Sequence, residues 1–425
     1  MPRLSLPLAL LMLVQIGCSS ESDETKNSTD FDLSLLNQAQ IIHANALTID
    51  AHADIEIPGK PSMYVGADGL SKVTPKKMQE GGIDAVVMSL AVGPMPRTPQ
   101  GYNNAKTIAQ TKLSAVKALV EYPANNTVIA KTTDELLSAN ANGKSALILG
   151  FQNALILGTE INYIDSLYES GVRVFALTHM GHNDFADSSR TLFDGDTGTR
   201  EPDAEHEGLS VLGKNAVRKI NQLGGIMDIS QLSTDAAMQV MALSETPVIA
   251  SHSNVKALTN VSRNLSDKEI DRIGQTNGVI HVAPFRGYLF DSADPEMDAN
   301  IRKIRRESGI DESYLYPFEL YWEIDDPVIK KDFLTRTSAL LGTIGIEEML
   351  DHVDYIVKRI GIDHVGIGTD FNHGSGIIGF NDASEALNVT VELLKRGYSE
   401  EDITKIWGGN FMRVWKKAET AVDGH

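Results

Sequence analysis

The chain has 425 residues, 42% hydrophobic and 22% charged, a balance that supports one large globular core or two medium ones. A formal net charge of −19 and the absence of a Lys/Arg stripe argue against a nucleic-acid partner, because phosphate contacts need clustered cations. The single cysteine, Cys18, excludes intramolecular disulfides, and no thiol remains beyond it for thiolate catalysis.

From the first residue, Met1-Pro2-Arg3 leads into the apolar run Leu4 to Ile16, too short to span a bilayer but built like an export signal. Residues 1–17 are predicted to be a lipoprotein-type signal peptide. Gly17-Cys18 resembles a lipobox, whose cysteine is acylated, with Gln15 where leucine is usual; a simple cleaved signal is the other reading. Residues 18–31 then read as the acylated cysteine and a disordered, polar tether. The expected location is the cell envelope, anchored to a membrane through Cys18 and facing the periplasm or the outside, or else secretion.

Residues 32–420 carry eight short apolar runs suited to strands: Leu47–Asp54, Asp84–Leu90, Ser145–Gln152, Val172–His179, Gly225–Ser230, Pro247–His252, Gly278–Ala283 and His364–Asp370. Amphipathic stretches such as Tyr102–Leu119, Tyr163–Glu169, Leu209–Leu223 and Thr234–Ala242 separate them. That alternation predicts an α/β fold, a (β/α)8 TIM barrel. A charged and aromatic stretch from about Arg286 to Leu350, with Tyr314, Tyr316, Phe318, Tyr321 and Trp322, predicts a helical insertion before strand eight. Near the end, Ser399 reads as an N-cap with an acidic first turn, and Trp407 with Phe411 as an apolar i,i+4 pair.

Polar residues cluster where these strands end: His52 and Asp54, Gln152, His179, Gln231 just past the fifth run, His252 and Asp370. Barrel active sites form at that rim. His52 and Asp54, two apart, share a strand face, and imidazole with carboxylate suits Zn²⁺ or Mn²⁺. His182 and His373 lie in loops and read as solvated residues.

Several segments together resemble the membrane (renal) dipeptidase family, metallopeptidase family M19, of the amidohydrolase-like barrels. They are Ile49-Asp50-Ala51-His52-Ala53-Asp54, Met78-Gln79-Glu80-Gly81-Gly82, Thr178-His179 with Asn183 and Ala186-Asp187-Ser188, Ser251-His252-Ser253, Ser262-Arg263-Asn264, Gly366 to Phe371, and Gly408-Gly409-Asn410-Phe411. The resemblance implies two metals bridged by a glutamate, with His52, Asp54 and Asp370 around the first. The bridging position is held here by Gln152, and a histidine of the second metal by Gln231, leaving His252 from that set. One tight metal, Zn²⁺ or alternatively Mn²⁺, and a weak or absent second one are therefore expected. Asn372 also departs, since the family commonly has aspartate there.

What the resemblance implies about activity is hydrolysis of dipeptides or dipeptide-like amides by a metal-activated water. In that scheme Asp370 is the base, His179 contacts the substrate carbonyl, and Arg263 pairs with the substrate carboxylate. The small peptide is the expected partner, and a homodimer is compatible with the sequence. The two glutamines keep open a non-hydrolytic substrate-binding lipoprotein or a recruited tailoring enzyme.

Overall fold

The computed structural model describes residues 21–194, 199–310, 312, 324 and 326–422. Eight parallel strands form the central sheet in chain order: β1 Ile49–Asp54, β2 Ala85–Ala91, β3 Ser145–Gln152, β4 Val172–Ala176, β5 Ile226–Asp228, β6 Ile249–Ala250, β7 Val279–Val282 and β8 Val365–Ile367. Their buried, largely apolar sequences, such as Ala-Val-Val-Met-Ser-Leu-Ala in β2, are what a parallel sheet covered on both faces requires. A short strand, Thr127–Ile129, pairs beside β3, and a two-stranded hairpin joins Phe193–Asp194 to Thr199–Arg200. Neither appears in the sequence reading, because two or three residues are too few to show a period.

Between β8 and β1 the ladder closes at its C-terminal edge. Asp370 N donates to His52 O at 2.8 Å, and Asp54 N donates to Phe371 O at 2.9 Å. The Asp50 carboxylate ties the same joint: it accepts from Thr369 N at 2.7 Å and from Thr369 Oγ1 at 2.6 Å. The architecture is thus the expected barrel, with helices between the strands.

The helices present apolar stripes to this sheet. Ile346–Ile360 buries Ile346, Met349, Leu350, Val353 and Ile356, one face of a 3.6-residue period. Helix Pro99–Glu121 starts on Thr98, whose side chain accepts from Gly101 N, with proline in the first turn. The insertion before β8 contributes helices Pro295–Glu307 and Pro327–Leu341. Tyr314, Tyr316, Phe318, Tyr321 and Trp322 lie outside the described residues, as do Cys18 and residues 1–17.

A helix drawn from Glu21 to Asn45 begins inside the segment read as a tether. Its C-terminal part is docked: His43 bonds Thr390 Oγ1 at 2.7 Å and Gly81 O at 2.8 Å. Once those turns are fixed, extending a helix one residue at a time costs little. Among the described residues no helix is long and apolar enough to cross a membrane.

Replacing Asp50 by alanine is expected to lower stability by about 2–3 kcal/mol, because the buried Thr369 N–H and hydroxyl lose their acceptor. Urea denaturation checks this; Thr369→Val, which keeps the backbone bond to Asp50 but removes the hydroxyl that bonds Asp50 and accepts from Phe371 N, should also be destabilising.

Candidate metal centre

The polar residues expected at the rim do converge there. His52 and Asp54 stand on β1, Gln152 ends β3, and His179, Gln231, His252 and Asp370 occupy the first turns after β4, β5, β6 and β8. All seven are buried. The strands are shorter than their apolar runs because the chain leaves the ladder to aim these side chains: Gln231 has φ +69° and Asp370 φ +55°. Close approach demands glycine nearby, since a Cβ on Gly368 would lie 1.8 Å from Ser251 O.

His52 Nε2 lies 3.8 Å from Asp54 Oδ1 and 3.9 Å from Asp370 Oδ1. Both are too long for hydrogen bonds but close to the spacing of atoms sharing one cation at about 2.0–2.2 Å. His52 Nε2, Asp54 Oδ1 and Asp370 Oδ2 are buried with no hydrogen-bond partner. Converging lone pairs of this kind are costly to bury unless a cation takes them. His52, His252 and Asp370 also form a group whose ligand atoms lie within 4.8 Å of one another. The donor set therefore fits one divalent cation.

The neighbours fix which imidazole nitrogen faces that point. Ser251 Oγ donates to Asp228 Oδ2 at 2.5 Å, so it accepts from His252 Nδ1 at 2.7 Å. His252 Nε2 is then the lone-pair nitrogen, oriented as a ligating histidine is by a carboxylate behind it. Gln152 Nε2 and Gln231 Nε2 approach it at 3.5 and 3.4 Å. A second metal would have to displace these amide contacts and would find no carboxylate bridge in exchange. The residues present do not fit a second cation of equal affinity.

Electrostatics separate the two carboxylates. Burial, helped by the Asp54 charge, pushes Asp370 up to about 7. Burial alone would raise Asp54 too, but Lys112 and His373 hold it below the usual carboxylate range. Burial pulls His52 down to about 3 and holds His179 and His252 well below the ordinary histidine value, so all three are neutral near pH 7.

His373 corrects the sequence reading of a solvated loop residue. Its Nδ1 lies 3.1 Å from Asp54 Oδ2 and its Nε2 3.3 Å from His179 Nε2, while Tyr64 stacks on its ring. The signal was its place three residues after Asp370, in a turn where Asp370 and Asn372 take positive φ. His182 is likewise buried rather than solvated, with Nε2 on Pro202 O at 2.8 Å. The Asn183 and Asp187-Ser188 motifs brace the loop instead of reaching the centre: Ser188 Oγ donates to His179 O at 2.6 Å. Asn372 also serves as a brace, donating to Asp54 O at 2.9 Å and accepting from Lys72 N at 2.8 Å.

Arg263 is buried beneath the centre. Its Nη1 donates to Ser253 Oγ at 3.0 Å and its Nη2 to His252 O at 2.5 Å, leaving Nε without a partner. A cavity of about 440 Å³ opens above the group and is lined by Asp54, Tyr64, Lys112, His179 and His373 among others. Arg263 is not part of that lining.

Residues 36–424 match the family model described as membrane dipeptidase (peptidase family M19). A solved structure of the probable dipeptidase PvdM from Pseudomonas aeruginosa is 33% identical, covering 92% of this chain and 99% of that one, with a TM-score of 0.78. The dipeptidase tcpJ of Claviceps purpurea is 26% identical over 98% of this chain and 85% of its own length. A metallopeptidase from Rhodobacter sphaeroides, solved with a phosphinate mimic of the dipeptide L-Ala-D-Ala, shares the fold at 20% identity and a TM-score of 0.67, covering 88% of this chain and 99% of that one.

Asp370 makes the metal-free protein pH-sensitive. Its folded value of about 7 exceeds the ordinary 3.8, so the folded state binds more protons between those limits. The stability it contributes is fully present below about pH 4 and lost as pH rises through about 7. Asp50, which burial also pushes up to about 7, adds to the same trend. Thermal unfolding across that window should show metal-free protein weakening with pH and Asp370→Asn making the slope shallower without abolishing it; identical pH profiles would contradict the assignment.

Proposed function

The chain belongs to the membrane dipeptidase family of metallopeptidases, and from that premise we propose that it hydrolyses dipeptides or dipeptide-like amides at a one-metal centre. The observation that carries this reading is the convergence of unpartnered His52 Nε2, Asp54 Oδ1 and Asp370 Oδ2 at the barrel rim, beside a cavity of dipeptide size. His252 joins them as the fourth candidate ligand. Family membership makes Zn²⁺ the first choice and Mn²⁺ the second. A divalent ion held there supplies Lewis acidity toward a carbonyl and acidifies a water.

The protein's own groups supply the remaining chemistry. Asp370, whose Oδ2 converges with His52 Nε2 and Asp54 Oδ1, is placed to take a proton from the attacking water and return it to the leaving amine. His179, neutral and lining the cavity, is placed to donate an N–H to the oxygen that gains charge as the carbonyl becomes tetrahedral. Arg263 holds the His252 carbonyl and with it the turn that carries the ligand.

A non-hydrolytic role has one observation in its favour, the two amides set against His252. The two readings part on catalysis. Metal-loaded protein lacking residues 1–18 should release free amino acids from a panel of L,L and L,D dipeptides, and Asp370→Asn should lower the rate at least about 100-fold. No release above that variant on any peptide would reject the hydrolase.

Metal analysis after dialysis should give one tight equivalent per chain, and Gln152→Glu combined with Gln231→His should add a second. Two tight equivalents in the native protein would sink the one-metal reading. Export and acylation at Cys18 are proposed on the sequence of residues 1–18 alone. Cys18→Ser should move the protein from the membrane fraction to the soluble one, and unchanged membrane recovery would reject the anchor.

A further inference from the structure

We propose that Gly93 opens a side-chain pocket beside the metal group, and that this pocket selects dipeptides carrying a bulky apolar side chain. The proposal rests on the hydrolase reading and names its substrate class. β2 lies between β1 and β3 in the sheet and differs from both at the rim. β1 ends on Asp54 and β3 on Gln152, whereas β2 runs out through Ala91, Val92 and Gly93. Ala91 is the register partner of Gln152, and Ser89 that of Asp54, so each pair shares a face of the sheet. On that face β2 offers a methyl and a hydroxymethyl group where its neighbours offer an amide and a carboxylate.

Gly93 has neither a conformational nor a steric reason to be glycine. Its φ lies outside the left-handed region, and a Cβ built on it would meet no atom within 4 Å beyond its chain neighbours. Other glycines near the rim are constrained: Gly158 has φ +60°, and Gly368 abuts Ser251 O. What the missing side chain leaves is room. Ala91, Val92 and Gly93 all line the cavity of about 440 Å³ that also reaches Asp54 and His179.

The loop after β1 completes the pocket. Ile55, Ile57, Pro61 and Met63 border the same cavity. Met63 is 62% exposed, an unbranched thioether whose apolar surface adapts to whatever covers it. One exposed apolar side chain is ordinary, but an apolar group gathered in a cavity beside converging polar ligands has the make-up of a small-molecule site. The polar groups of the loop are engaged or screened. Ser62 Oγ donates to Glu56 Oε1 at 2.7 Å, and Lys60 is exposed to water. An alkyl or aromatic side chain seated against Gly93 and Met63 would leave water and cover this apolar lining.

Calorimetric titration of the metal-loaded protein with phosphinate dipeptide mimics tests the assignment. The probes are the L-Ala-D-Ala mimic and two analogues with a leucine side chain at the first or the second residue. The native protein should bind one leucine analogue at least about tenfold more tightly than the L-Ala-D-Ala mimic, the size expected from burying three further carbons. Gly93→Leu should weaken that analogue far more than the L-Ala-D-Ala mimic and bring the ratio to about twofold or less, while Gly93→Ala should retain most of it. If thermal unfolding shows that Gly93→Leu does not fold, Met63→Asn takes its place and should cut the ratio at least about threefold. A native protein that binds the three mimics alike, or binds none, would overturn the pocket. So would a Gly93→Leu variant that keeps the preference or weakens all three mimics to the same extent. Dipeptide hydrolysis by the same preparations separates the two readings: preference without hydrolysis rejects the hydrolase and leaves the pocket in place, and hydrolysis without preference does the reverse.

Discussion

The joint between the last strand and the first is the constraint on which the centre depends. Asp50 and Thr369 are 319 positions apart in sequence, yet the Asp50 carboxylate holds Thr369 through both its backbone N–H and its hydroxyl. That fastening brings Asp370 against His52 and Asp54 with no slack, and it must be complete before three lone-pair atoms can face one point. The binding group is therefore a product of barrel closure and not of any local motif. Each contributing segment alone is an apolar strand with a polar end.

The same closure explains why the site is poised electrostatically. Bringing two carboxylates together in a buried rim lifts one, Asp370, while Lys112 and His373 keep the other charged. In the metal-free protein the two carboxyl groups therefore differ in charge near neutral pH, and both present an oxygen to the same point. Gln152 and Gln231 act on one side of the centre only. They set neutral amides beside His252 and leave the His52, Asp54 and Asp370 cluster untouched.

Much of this was legible in the chain because parallel strands buried on both faces announce themselves as apolar runs, and the polar residue that ends each run marks the rim. His52, Asp54, Gln152, His179, His252 and Asp370 were found that way. His373 was missed: its role comes from a turn with left-handed backbone at Asp370 and Asn372, and no period encodes that. Lys112 was missed for a different reason. A lysine three residues beyond Ala109 breaks an apolar stripe by one position, which a sequence tolerates as a helix edge until the fold shows a cavity on that side. The inward engagement of Arg263 was equally invisible, since it depends on where the Ser253 hydroxyl and His252 carbonyl fall.

Anomalous diffraction at the zinc edge from a zinc-loaded crystal tests the central claim most directly. A single strong peak bounded by His52, Asp54 and Asp370, with His252 within coordination distance and no second peak of comparable height beside Gln231, is the expected result. Two equal peaks bridged at Gln152, or no peak within the rim, would contradict the one-metal centre.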